Sequence, residues 1–137
     1  MTVAEEARPR PYPAPDRDTT PFWEAQNNHE LKFQRCTACQ TVRYRVSPMC
    51  PNCHSFDVDW ITSTGRGTVY SYTVVRRQTH PAFPVPYTVA LVQMEEGPRF
   101  AAQVRDHDGS DIPLGTPVHI EWEDHPKQSL PVFVLDT

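Results

Sequence analysis

The chain is poor in the features that most small catalysts and membrane proteins rely on. Five of its 137 residues are glycine, and they form no phosphate-binding loop; a nucleophile elbow and a zinc-protease motif are also absent. No apolar run approaches the roughly 18 residues that span a bilayer, and the start "MTVAEEARPRPYP" has neither a basic nor an apolar leader region. A cytoplasmic protein without membrane contact is therefore expected, in a compartment that keeps thiols reduced. Basic charge is short as well: 13 Lys and Arg stand against 17 Asp and Glu, a formal net charge of −4. Residues 29 to 54 hold Lys32, Arg35, Arg43 and Arg45 against Glu30 alone, whereas residues 95 to 125 hold eight acids against Arg99 and Arg105. A short basic strip beside an acidic lobe is a weak footprint for nucleic acid.

Proline, by contrast, is abundant. In "MTVAEEARPRPYPAPDRD" it falls at positions 9, 11, 13 and 15, so residues 1 to 18 are predicted to be an extended arm, either free or docked on a partner. The following "TTPFWEAQNNHEL" predicts a short helix over about residues 21 to 29, with Thr20 as its cap, Pro21 as its first residue and Glu24 in its first turn. Phe22 and Trp23 are the apolar anchors. A helix this short needs something to pack on, either the rest of the chain or another subunit.

All four cysteines lie in "CTACQTVRYRVSPMCPNC", residues 36 to 53. The pairs Cys36/Cys39 and Cys50/Cys53 have the spacing of two turns that converge on one tetrahedral ion, and four thiolates suit zinc. Iron in a rubredoxin-like site has the same geometry, so both metals fit the spacing, with zinc the first expectation. A thioredoxin-type dithiol needs only one pair and a βαβ setting, which is missing. A closed four-cysteine shell leaves no position for substrate, so Cys36, Cys39, Cys50 and Cys53 are expected to hold a structural zinc. His54, next to Cys53, is expected at the surface or behind the ligands.

Beyond the cysteines, "FDVDWITSTGRG" reads as one strand ending in a Gly-x-Gly corner, and from Gly67 five further strands follow: "GTVYSYTVVRR", "PYTVALVQM", "RFAAQVRD", "PVHIEW" and "LPVFVL". The short "EEGP" link predicts an antiparallel hairpin between the second and third of these. Five such strands suit a small closed barrel, with an OB-fold the first expectation and an SH3-like barrel the rival. "HDGSDIPLGT" is too short and too rich in Gly, Asp and Pro for the helix that OB-folds often carry there. The expected division is an arm (1–18), a helix with a zinc ribbon (19–62) and the barrel (63–137), a mostly β fold.

One loop stands out. "RRQTHPAFPVPY" joins the first two barrel strands, where OB-folds often grip ligands, and it carries Arg76 and Arg77 for phosphate, His80 as donor or acceptor and Phe83 as an apolar contact. An ordinary proline-rich loop is the competing reading. His107 and His125 sit beside acids in loops and are expected in solvent; His119 is expected on an exposed strand face. A ribbon beside an OB-fold is also a common single-stranded nucleic-acid architecture, but the acidic balance makes that partner the weaker expectation.

The order of helix, four-cysteine ribbon and barrel resembles the domain-of-unknown-function-thirty-five family. "PFWEA", "LKFQRCTACQ", "CPNC", Trp60, "GRGTVYSYTVV", "HPAF", "PYTVALVQM", "GTPVHIEWED" and "LPVF" carry the resemblance, which covers the chain from about residue 20 onward. The family often has "GEL" where this chain has "HEL", a glycine at the position of Gln40 and a proline-rich run in place of "RYRVS". The resemblance implies a rubredoxin-like zinc ribbon plus OB-fold, and a noncatalytic subunit that docks on an acyl-CoA enzyme. That enzyme would be a thiolase-like protein, a thiolase-fold aldolase that shortens steroid side chains, or a MaoC-type hydratase. For such a role, Phe22, Trp23 and Tyr44 of the helix and ribbon are expected to dock on the partner, and Arg76, Arg77, His80 and Phe83 with Arg43 and Arg45 to hold the anionic acyl-CoA.

Overall fold

Asp16 decides where the chain first becomes regular. Its carboxylate accepts the backbone N–H groups of Asp18 and Thr19 at 2.9 Å each and the Thr19 hydroxyl at 3.0 Å. These bonds, that of the Thr19 N–H first, hold the Asp16 carboxyl below its ordinary pKa. Helix α1 (Thr20–Asn27) follows, with Thr19 at its cap position and Pro21 in its first turn. The cap lies one residue earlier than expected because the Thr19 side chain is taken up by the Asp16 turn, and Thr20 starts the helix instead. Glu24 consequently misses the first turn, which holds no acid. The structure, a computed structural model, describes residues 10 to 136; the first nine residues of the expected arm lie outside them, and residues 10 to 15 carry no regular secondary structure.

Strands β1 (Lys32–Cys36), β2 (Val42–Arg43) and β3 (Val58–Thr62) form an antiparallel sheet in the order β2-β1-β3. Strand β3 matches the expected one, whereas β1 and β2 were not foreseen. In β1 the adjacent Phe33 and Gln34 are both buried, so the alternation that marks a half-buried strand is lost.

Strands β4 (Arg66–Val75), β5 (Tyr87–Met94), β6 (Arg99–Val104), β7 (Pro117–Asp124) and β8 (Ser129–Leu135) close a barrel in the order β4-β5-β6-β8-β7. Strand β5 alternates strictly, with Thr88, Ala90, Val92 and Met94 inside, and pairs antiparallel with β6 across the "EEGP" turn. Closure depends on Gly67: a Cβ there would lie 2.4 Å from the Gln93 carbonyl oxygen and 2.6 Å from a Val92 methyl. The connection from β6 to β7 contains no helix. Buried Ile112 enters the core in its place, its N–H donating to the Tyr72 hydroxyl at 3.1 Å.

One hydrophobic core spans helix, ribbon and barrel, with Phe22, Leu31 and Phe33 continuous with Val69, Val92, Phe100 and Phe133. Phe100 on β6 meets Tyr44 edge-on at 4.8 Å and lies 6.2 Å from Phe33 and 6.1 Å from Phe133. No helix among the described residues is long and apolar enough to cross a membrane. Because Phe100 serves both sheets, Phe100→Ala is expected to cost about 3–5 kcal/mol. A denaturant titration followed by Trp60 fluorescence for the ribbon and far-UV circular dichroism for the barrel should show both midpoints falling together.

Candidate metal centre and ligand loop

The two Cys-x-x-Cys turns are near copies of each other. The Cys36 N–H donates to the Thr41 carbonyl at 2.9 Å and the Gln40 N–H to the Cys36 carbonyl at 2.8 Å; the Cys50 N–H donates to Ser55 at 2.8 Å and the His54 N–H to Cys50 at 2.9 Å. Each turn closes through a residue in the left-handed region, Gln40 at φ 66 and His54 at φ 66. That conformation turns the chain back after the second cysteine of each pair, so that the Thr41 and Ser55 carbonyls reach the N–H groups of Cys36 and Cys50. The four sulfurs lie within 4.8 Å of one another, with Cys36 to Cys53 at 3.5 Å and Cys39 to Cys50 at 3.7 Å. A tetrahedron of zinc–sulfur bonds of about 2.3 Å sets sulfurs about 3.8 Å apart, so the cluster has the size of one ion. The cysteines are free, with no disulfide among them.

Electrostatics favour the same occupant. The Thr41 hydroxyl at 3.1 Å and the Asn52 amide at 3.5 Å lower the Cys39 thiol to about 5. At Cys53 the Ser55 N–H favours the thiolate, but the sulfurs of Cys36, Cys39 and Cys50 together with burial outweigh it and push the thiol to about 12. The first proton leaves easily and the last is held by its neighbours' charge, a balance that a divalent cation reverses. Thr41 and Asn52 were missed in the sequence; Asn52, inside "CPNC", was the readable signal for a donor to sulfur.

Arg43 requires a correction. It is buried, its Nε donating to the Gln34 carboxamide oxygen at 3.0 Å and an Nη to the Ser47 carbonyl at 2.9 Å. The Ser47 N–H also donates to that Gln34 oxygen at 3.0 Å. Arg43 thus ties β1, β2 and the following turn together, and its donors face inward rather than toward an anionic ligand. Arg45 is exposed, at φ 68.

Phe22, Trp23 and Tyr44 are brought together, with Phe22 to Trp23 at 5.1 Å and Phe22 to Tyr44 at 5.9 Å. Phe22 is core; Trp23 and Tyr44 are half-buried beside it, and burial raises the Tyr44 phenol above its ordinary pKa against the pull of Arg45. In the loop after β4, Arg76 and Arg77 are exposed. His80 and Phe83 face each other at 5.7 Å, and the His80 Nδ1 accepts the Ala82 N–H at 3.0 Å. The Arg10 guanidinium lies 4.6 Å over the Phe83 ring, a contact that no pattern in the arm announced.

His107 and His125, both expected in solvent, are half-buried, and the His125 Nε2 has no hydrogen-bond partner among the described residues. His107 bonds the buried Thr88 hydroxyl at 2.7 Å. His119 is held between Asp136 at 2.5 Å and Glu121 at 2.9 Å, and those carboxylates, Glu121 first, raise its pKa.

Residues 23–59 match the family model described as the ChsH2 rubredoxin-like zinc ribbon domain, and residues 60–123 match that of the ChsH2 C-terminal OB-fold domain. The chain is 44% identical over 125 residues to a probable enoyl-CoA hydratase alpha subunit of Thermomonospora curvata, covering 90% of this chain and 39% of that protein. It is 36% identical to the 3-oxo-4,17-pregnadiene-20-carboxyl-CoA hydratase alpha subunit of Mycobacterium tuberculosis, covering 86% of this chain and 38% of the relative. The chain therefore spans well under half the length of these two proteins. A DUF35 domain-containing scaffold protein of Methanothermobacter thermautotrophicus is 30% identical over 67% of this chain and 71% of its own length. Among solved structures, a chain of the Ltp2-ChsH2(DUF35) aldolase superposes with a TM-score of 0.84 at 42% identity, covering 90% of this chain and 98% of that one. A DUF35 family protein from Sulfolobus solfataricus superposes with a TM-score of 0.64 at 13% identity, which shows the fold alone.

The left-handed turn residues offer a direct check on the ribbon. Gln40→Gly relieves the steric cost of a side chain at positive φ at the loss of one exposed bond to the Thr37 carbonyl, and is expected to stabilise the protein by about 0.5–1 kcal/mol. Gln40→Val should destabilise it. Denaturant midpoints of the metal-loaded protein measure both.

Proposed function

The chain belongs to the DUF35 family, and on that premise we propose that it is a zinc-stapled auxiliary subunit that docks on an acyl-CoA enzyme and orders it, without catalysis of its own. The observation that carries this reading is the 42% identity to a chain of the Ltp2-ChsH2(DUF35) aldolase over 98% of that chain's length. A thiolase-like aldolase or thiolase is the partner proposed first. The hydratase alpha-subunit names of two relatives support a MaoC-type hydratase as a further member of the assembly, and one of those names supports acyl-CoA substrates from steroid side-chain degradation. Work in the cytoplasm is part of the same proposal.

Cys36, Cys39, Cys50 and Cys53 would hold the zinc. Its contribution is folding free energy, on the order of 10 kcal/mol for such sites. The ribbon unit (19–62) would present Trp23 and Tyr44, backed by Phe22, to the partner. The barrel unit (63–137) would offer Arg76, Arg77, His80 and Phe83 to the CoA moiety, with Arg45 of the ribbon as a further cation. Arg43 leaves that set because it is buried, with its Nε and one Nη engaged inside the ribbon and its other Nη buried without a partner among the described residues. The burial of Arg43 also removes one cation from the strip that would serve a nucleic-acid module.

Cys36→Ser is expected to lower the bound metal measured by elemental analysis, melt the ribbon and abolish co-purification with the partner; intact assembly around a metal-free ribbon would contradict the docking role. For the function itself, the chain and a thiolase-like aldolase subunit are purified separately and mixed. Native mass measurement should show a hetero-oligomer, and carbon–carbon cleavage of an acyl-CoA should rise in the mixture while the isolated chain shows none. Turnover by the chain alone, or tight oligonucleotide binding that weakens steeply with salt, would sink the proposal.

A further inference from the structure

The residues proposed for docking line something else as well. A cavity of about 250 Å³ lies between α1, Tyr44 and strands β6 and β8. Its walls are mostly apolar, with Phe22, Trp23, Tyr44, Phe100, Leu130 and Val132 contributing, and Gln103 and Glu123 also line it. Gln26 also lines it, and this side chain is only 1% exposed, with no hydrogen-bond partner for its Oε1. The Arg10 Nε, on another wall of the cavity, is also buried without a partner.

A buried amide oxygen without a donor is costly, on the order of 1–3 kcal/mol. Evolutionarily cheap replacements exist, since Leu or Met fills the same volume in a helix without a polar atom. A glutamine at this position fits a site in which something that enters the cavity supplies the missing donor. The volume is below the range of drug-sized pockets, and an orphan acceptor and an orphan donor in a half-open aromatic pocket match one hydroxyl on a compact apolar body.

We propose that the space between α1 and the barrel is a binding site for a small apolar alcohol, or for the hydroxyl-bearing end of a longer apolar molecule, with the ligand hydroxyl donating to the Gln26 Oε1. The ring or chain of the ligand packs between Trp23, Tyr44 and Phe100. Arg10, which reaches the cavity from the arm, offers its Nε to the ligand oxygen. This goes beyond docking on a partner enzyme and is tested on the full chain by itself, so its fate is separate from that of the assembly.

The probes are benzyl alcohol and toluene, which differ by the hydroxymethyl group. Titrations followed by amide NMR and Trp23 fluorescence should show saturable shifts for benzyl alcohol at the Gln26 side chain and at residues 101 to 103. Toluene should bind about fivefold to tenfold more weakly, the worth of one neutral hydrogen bond. Gln26→Leu should erase that preference and, because it removes an unpaired acceptor, leave the free protein at least as stable. Ala101→Trp, at an exposed position on the cavity wall, should block both probes with the fold intact. Equal affinity for the two probes in the natural sequence, non-saturating shifts, or shifts that map elsewhere would overturn the proposal. So would a Gln26→Leu protein that is less stable in the absence of ligand, since that would make Gln26 a structural residue.

Discussion

The edge-on contact of Phe100 with Tyr44 is the joint on which the rest of the molecule depends. A ribbon of this size cannot bury enough apolar surface to fold alone, and two of its aromatic side chains, Phe33 and Tyr44, meet each other and Phe100 of the barrel. Helix α1 closes the same joint from the side, with Phe22 inside it and the Gln128 amide of the barrel donating to the Trp23 carbonyl at 3.0 Å. Folding energy that a metal supplied at the cysteines would reach the barrel through this aromatic packing. The proposed docking surface lies at the seam because that is where helix, ribbon and barrel all present side chains.

The two departures from the family's glycines become intelligible in these terms. His29 and Gln40 both sit in the left-handed region, at φ 59 and φ 66, where glycine is the unstrained choice. At His29 a side chain gives something back. Its ring stacks on Trp122 at 5.5 Å with planes 2° apart, and its Nε2 bonds the Asp124 carboxylate at 2.7 Å. Asp124 also accepts the Ser129 hydroxyl, and these two bonds, that of Ser129 first, hold its carboxyl below the ordinary range. The helix end is thereby latched onto β7. Gln40 has only its bond to Thr37, within its own turn, so its side chain adds no tie between elements. The same backbone conformation is compensated across the fold in one case and only locally in the other.

How much was legible in the sequence follows from which faces are solvated. The barrel strands were readable because one side of each meets water, as the alternation of β5 shows, and because "EEGP" leaves room only for a tight turn. The four cysteines were readable because their spacing is the chemistry. Strands β1 and β2 were hidden, since the buried polar pair Gln34 and Arg43 erases the periodicity that would have marked them. Arg43 had the look of a surface cation for the same reason: its partner lies nine residues earlier, on a strand the pattern did not disclose. The helix start was displaced by one residue through Asp16, a side chain outside the helix that captured the residue after it in the turn.

That buried arginine also changes the reading of charge. The basic strip of residues 29 to 54 contains four cations, but Arg43 faces inward and Arg35 lies 3.7 Å from Asp59. Such an exposed pair contributes little to stability, yet it reduces the field that a polyanion would meet. Four thiolates around a divalent ion add a charge of about −2 to the same small volume. The ribbon thus lacks the sustained positive potential on which non-specific nucleic-acid binding depends. What it offers at its junction with the barrel is Trp23 and Tyr44, large, half-buried and braced by Phe22 and Phe100. Rigid aromatic side chains of this kind lose little freedom when another surface closes over them, which suits the proposed docking role; Arg10 and Glu123 line the same face beside them.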